Sequence, residues 1–151
     1  RKALALGLGC LITVLLTYLL KDLCGRSRPH VFGGGTWVWG GPAKGFRGGS
    51  AWGSFPSAHT TGAFALACGL AWFYPRGRGL FMMLATITAL QRILHAAHFA
   101  SDTIAGMGLA VLTMRWTLRA KLAGRLIALA PPRARAWWLA DADEPSRGES
   151  Q

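Results

Sequence analysis

The stretch QRILHAAHFASD, Gln91–Asp102, sets an arginine, two histidines and an aspartate between apolar flanks. Such residues either decorate a helix end or form part of a site that binds anions and moves protons. His98 and Asp102 stand four apart, so on one helix they share a face and the carboxylate can orient the imidazole. Asp22 and Asp102 are the only acids before the C-terminal tail. A carboxylate placed beside a histidine among apolar residues is expensive unless it is used.

Two upstream clusters complement this one. KDLCGRSRP supplies Lys21, Arg28 and Pro29, and PSAH runs from Pro56 to His59. Pro56 suits the first turn of a helix, and backbone N–H groups at Ser57, Ala58 and His59 would make an anion site there. Lys21, Arg28 and Arg92 bring three positive charges, about what a phosphate and its pentavalent transition state require.

Each residue has a plainer reading. Lys21 and Arg28 could snorkel from a helix end, and Asp102 could only cap a helix. His95 with His98 and Asp102 could bind a metal, but oxygen and thiolate neighbours are too few, and no metal site is assigned. His95 reads as a satisfied helix-end histidine and His30 as a loop histidine.

The elements that must position these residues are apolar. More than half of the 151 residues are hydrophobic (52%) and mean hydropathy is positive. That composition fits one small membrane bundle better than a soluble domain. The first run, Ala3–Leu20, carries no charge. Others extend from about Pro56 to Tyr74, Gly79 to Leu94 and Asp102 to Leu118. Ala63/Ala67, Ala65/Gly69 and Gly106/Ala110 repeat small residues at the spacing that lets helices approach in lipid. The expected fold is all-α, an integral membrane bundle with four transmembrane helices.

The net charge of +11 is spread between the apolar runs and forms no basic face for nucleic acid. Arg1 and Lys2, Arg76 and Arg78, and Arg115, Arg119, Lys121 and Arg125 all fall on one side of such a bundle. The positive-inside rule makes that side cytoplasmic. Lys21–Ser57 and His95–Ser101 then share the opposite face, where Lys21, Arg26, Arg28, Lys44 and Arg47 break the rule and need another reason to exist. The outer loop, Val31–Phe55, is rich in Gly, Trp and Phe and reads either as irregular chain lying on the membrane and shaping a substrate entrance, or as a disordered connector. Cys10 and Cys68 read as packing residues, Cys24 has no evident partner, and the three form no disulfide framework. Residues 131–151 read as a cytoplasmic tail with little fixed structure, following a membrane domain over 1–130.

These motifs resemble the type 2 phosphatidic acid phosphatase family, whose pattern is K-(six residues)-R-P, then P-S-G-H, then S-R-(five residues)-H-(three residues)-D. Lys21, Arg28 and Pro29 match the first block. Pro56, Ser57 and His59 match the second, and Arg92, His98 and Asp102 the third. Ala58 stands for the usual glycine and Gln91 for the usual serine.

The resemblance, over about Ala3–Leu118, implies that His98 is the nucleophile, oriented by Asp102. It implies that His59 is the general acid and base, and that Lys21, Arg28, Ser57, the Ala58 N–H and Arg92 bind phosphate. It implies no metal and no cofactor. Membrane members usually have six spans, with the pattern beginning at the end of the third, so four spans imply that the first two are missing here and the domain is N-terminally incomplete.

The function expected is hydrolysis of a lipid phosphate or diphosphate monoester through a phosphohistidine, in a bacterial inner membrane with the site facing outward. Undecaprenyl diphosphate, phosphatidate, phosphatidylglycerol phosphate and lipid A are candidate substrates. The alternatives are a lipid phosphotransferase with the same site and an inactive membrane scaffold. Oligomeric state is not readable from the sequence.

Overall fold

A computed structural model describes residues 2–31 and 38–129. Four long helices dominate: α1 (Lys2–Cys24), α3 (Ala58–Phe73), α4 (Arg78–Leu94) and α5 (Ala100–Arg119). Two shorter ones, α2 (Gly41–Arg47) and α6 (Leu122–Leu129), accompany them. The described residues contain no strand, only an isolated antiparallel bridge between Arg26 and Trp39. The all-α expectation holds.

Helix α3 is central. It packs on α1, α4 and α5, while α4 and α5 scarcely touch each other. Small residues permit these approaches. A Cβ on Gly106 would lie 2.7 Å from Thr61 Oγ1 and 3.0 Å from the Ser57 carbonyl oxygen, so glycine there lets the start of α5 press against the start of α3. Gly9 is similarly backed by Met114, and Gly69 by Leu6 and Met114. Ala65, Ala67 and Ala110 are buried in the same contacts, as their spacing predicts.

The distribution of polarity runs opposite to that of a water-soluble core. Thr13, Thr17, Thr60, Thr61, Thr103, Thr113 and Thr117 are buried, whereas Leu11, Leu15, Tyr18, Leu80, Leu84, Ile87, Leu90 and Leu112 are exposed. The buried threonines are satisfied within the protein. Thr13, Thr17, Thr61, Thr113 and Thr117 donate to the carbonyl one turn earlier, and the Thr13 and Thr113 hydroxyls meet 2.7 Å apart across α1 and α5. An exterior of large aliphatic side chains with little charge is a surface for hydrocarbon or protein, not water.

Of the described helices, α1 is long and apolar enough to cross a membrane. Helices α3 and α4 have 16 and 17 residues. At ~1.5 Å per residue they reach about 24–26 Å, just short of a ~30 Å hydrocarbon core.

Three boundaries differ from the sequence reading. Helix α1 continues past Leu20 to Cys24, which places Lys21 in its last turn rather than beyond its end. The outer loop, expected to be irregular, contains α2 and a 3₁₀ turn at Gly49–Trp52. Glycine makes that packing possible. Gly45 lies against the Asp22 carbonyl and Gly25, at φ +52°, against Gly41, leaving no room for a side chain at either position. Beyond Leu118 the chain adds α6, which the sequence reading did not anticipate. The expected tail, residues 131–151, lies outside the described residues.

Candidate active site

Pro56 and Ser57 start α3 in the way their types dictate. The Ser57 side chain caps the helix by accepting from the Thr60 N–H at 3.4 Å, and the Thr60 hydroxyl donates to it at 3.0 Å. Its own N–H donates to the Asp102 carbonyl at 3.1 Å, so Ser57 fastens the start of α3 to the start of α5. That N–H is therefore occupied. The N–H groups of Ala58 and His59, in the first turn, precede the helix's own hydrogen bonding. His59 is exposed.

His98 sits in the turn between α4 and α5 and is only 3% exposed. Its Nδ1 lies 2.7 Å from the Ser54 carbonyl oxygen. A carbonyl can only accept, so Nδ1 carries the proton and Nε2 keeps its lone pair. Asp102 Oδ2 is 3.7 Å from the same nitrogen, beyond a hydrogen bond. The bond that fixes the ring here thus comes from backbone, with the carboxylate behind it.

Asp102 is fully buried and has three other partners. Oδ1 takes the Arg26 guanidinium at 2.5 Å. Oδ2 takes the Ser54 hydroxyl at 2.6 Å and the Phe99 N–H at 2.9 Å. The last of these is the helix-cap role, and it coexists with the others. Arg26 also donates to the Ser101 hydroxyl at 2.8 Å and lies between the rings of Trp39 and Phe99, at 5.2 and 4.5 Å.

Sequence reasoning missed both Arg26 and Ser54. Arg26 left a signal: it breaks the charge rule in a chain with only two acids before the tail, Asp22 and Asp102, to pair with it. Ser54 left none, because what it gives His98 is a carbonyl oxygen.

The cations come in from three elements. Lys21, buried at the end of α1, donates to the Gly53 carbonyl. Arg28 Nε donates to the Ser50 carbonyl at 2.7 Å, and Nη1 to the Ala97 carbonyl at 3.3 Å. Arg92, in the last turn of α4, has a buried Nε without a hydrogen-bond partner among the described residues. All three act electrostatically on one place: His59 feels Arg92, His98, Arg28 and Lys21 together. Burial, assisted by Lys21 and Arg28, holds His98 below the ordinary histidine pKa of 6.5, although Asp102 and the Ser54 carbonyl pull the other way.

The remaining histidines stand apart from this group. His95 is exposed and ends α4, its N–H on the Gln91 carbonyl at 3.1 Å. His30 is also exposed, with Nδ1 3.2 Å from the Ala96 carbonyl oxygen.

Lys21, Arg28, Ser57, Ala58, His59, Arg92, His98 and Asp102 therefore converge from three separate stretches of chain. They define a helical protein with two histidines under the influence of nearby cations. The profile of the PAP2 superfamily matches residues 2–125, and the chain belongs to that superfamily.

It is 38% identical over 96 residues to proteins named lipid A 1-phosphatase from Rhizobium johnstonii and Rhizobium etli. Those matches cover 62% of this chain and 37% and 39% of the two relatives, so the chain spans well under half of their length. No solved structure matches.

Proposed function

We propose that this chain carries the catalytic site of a membrane lipid phosphatase, acting on a phosphate or diphosphate monoester through a phosphohistidine at the extracytoplasmic face. The observation that carries the reading is the state of His98: buried, its Nδ1 proton held by the Ser54 carbonyl, its Nε2 lone pair available, under the influence of Lys21 and Arg28.

His98 Nε2 attacks phosphorus while the bond to the lipid oxygen breaks. His59, protonated once the negative charge of the substrate's phosphate offsets the nearby cations, gives its proton to that oxygen. Neutral His59 then takes a proton from water, whose oxygen displaces His98 and releases phosphate. Lys21 and Arg28 are pinned by carbonyl oxygens yet keep further N–H donors for the phosphoryl oxygens. Arg92 Nε is a buried donor whose partnerless state costs about 1–3 kcal/mol, which favours an anion beside it. The Ala58 N–H and the Ser57 hydroxyl, which accepts from Thr60 and still has its own proton, complete the cradle. No step in this scheme calls on a metal.

Membrane residence is supported by α1, by the aliphatic exterior and by the superfamily. In this reading α1, α3, α4 and α5 all cross, in the bacterial inner membrane. The relatives' name makes lipid A a natural first substrate to try, beside phosphatidate and undecaprenyl diphosphate. Phosphate release from these lipids in detergent tests the reading. Release from at least one, lost in His98→Ala, supports it; no release from any overturns it.

A further inference from the structure

A shallow groove of about 200 Å³ is lined by Val14, Thr17 and Tyr18 of α1 and by Ala58 and His59 at the start of α3. Two of these five belong to the site described above; the α1 residues have been assigned nothing. Val14 and Tyr18 are exposed, and the Thr17 hydroxyl is spent on the Thr13 carbonyl at 2.7 Å, so α1 gives the groove a mainly apolar wall.

The geometry of phosphoryl transfer gives that wall a use. Attacking and leaving oxygens or nitrogens lie roughly in line on opposite sides of phosphorus. His98, the attacking group, is buried, and the general acid His59 must stand beside the leaving oxygen. Whatever is bonded to that oxygen therefore lies on the His59 side, away from His98. The groove lies on that side and opens on the apolar face of α1.

We infer that this groove is the subsite for the leaving group, receiving the hydrocarbon next to the scissile oxygen, with Val14 and Tyr18 setting selectivity for lipid over short-chain phosphates. This rests on the phosphatase reading and deepens it. The volume suits a short stretch of alkyl chain, and the rest of the lipid would lie along Leu11 and the exposed face of α1.

Propyl phosphate and dodecyl phosphate share the same leaving-group chemistry and differ only in chain, so the ratio of their kcat/KM values isolates the subsite. In the full chain, Val14→Trp fills the groove and should lower the dodecyl-to-propyl ratio by about tenfold or more, the scale on which apolar pockets discriminate. Tyr18→Ala, a reducing change, serves if the larger side chain prevents folding, and should lower the ratio in the same sense. Leu112→Trp, exposed on α5 and away from both the groove and the exposed face of α1, should leave the ratio alone. An unchanged ratio in both groove variants, or an equal fall in Leu112→Trp, overturns the subsite while leaving the phosphatase reading intact. A wild-type chain inert toward both esters and toward the lipid panel overturns both.

Discussion

His98 Nδ1 and the Ser54 carbonyl oxygen lie 2.7 Å apart, and that bond sets the tautomer in which Nε2 is the free nitrogen. Because the acceptor is backbone, it survives any substitution of the Ser54 side chain that keeps the local path. Ser54→Ala removes the hydroxyl that reaches Asp102 at 2.6 Å but not the carbonyl. It should retain measurable turnover, where His98→Ala should retain only the residual catalysis of the binding groups. Steady-state rates on one lipid phosphate decide this.

Asp102 should matter for stability as well as for rate. Removing one partner of a buried ion pair leaves the other charge uncompensated, so Asp102→Ala should cost about 3–5 kcal/mol through Arg26. Replacing both, as Arg26→Met with Asp102→Leu, should cost less than the two single changes added together. Thermal unfolding in detergent of the singles and the double measures the coupling.

The acid limb of the pH profile should reflect His98. Its pKa is lowered by burial first and by Lys21 and Arg28 next. A lowered pKa keeps the imidazole neutral to lower pH, so activity should persist below pH 6.5 and fall as pH drops through the shifted value. Arg28→Gln removes one of the cations and should move that limb upward, whatever it does to the maximal rate. A limb that stays put in Arg28→Gln would contradict the assignment.

The two histidines should separate by leaving group. An aryl phosphate leaves without being protonated, so His59→Ala should slow its first step far less than the ~10²–10⁴-fold expected for an alkyl phosphate. His95→Ala should stay within a few-fold of wild type, since the exposed His95 has no part in the scheme. Equal losses for aryl and alkyl esters in His59→Ala would remove the acid and leave the nucleophile standing.

The helices were legible in the sequence because apolar runs long enough to fold on themselves leave few alternatives, and Pro56–Ser57 marked the start of α3 within a residue or two. Helix α2 was not, because its glycines read as loop: Gly45 is there for a close approach to Asp22 that no sequence pattern announces. Spacing put His98 close to Asp102, but it could not show that His98 lies in the turn before α5, nor that Arg26 and Ser54 claim the carboxylate. Lys21, Arg28 and Arg92 were grouped from the sequence because the topology expected from loop charge puts all three on one face. What Lys21 and Arg28 touch in the protein was set by carbonyls of Ser50, Gly53 and Ala97, which have no side-chain code.

Topology gives a test independent of activity. Cysteine at Ser50 should react with a membrane-impermeant thiol reagent in intact cells, and cysteine at Gly77 should not. The reverse labelling would turn the site inward.

The central claim is a covalent bond between phosphorus and His98. Rapid quenching under alkaline conditions, which preserve phosphohistidine, followed by peptide mass spectrometry, reads it directly. His59→Ala turning over an aryl phosphate is the best material, because it lacks the base that activates water and should accumulate the intermediate. The account predicts phosphate on the peptide containing His98, formed at least as fast as the aryl alcohol is released and absent when His98→Ala is added. Phosphate on another residue, or aryl alcohol released in a burst with no phosphopeptide, would contradict it.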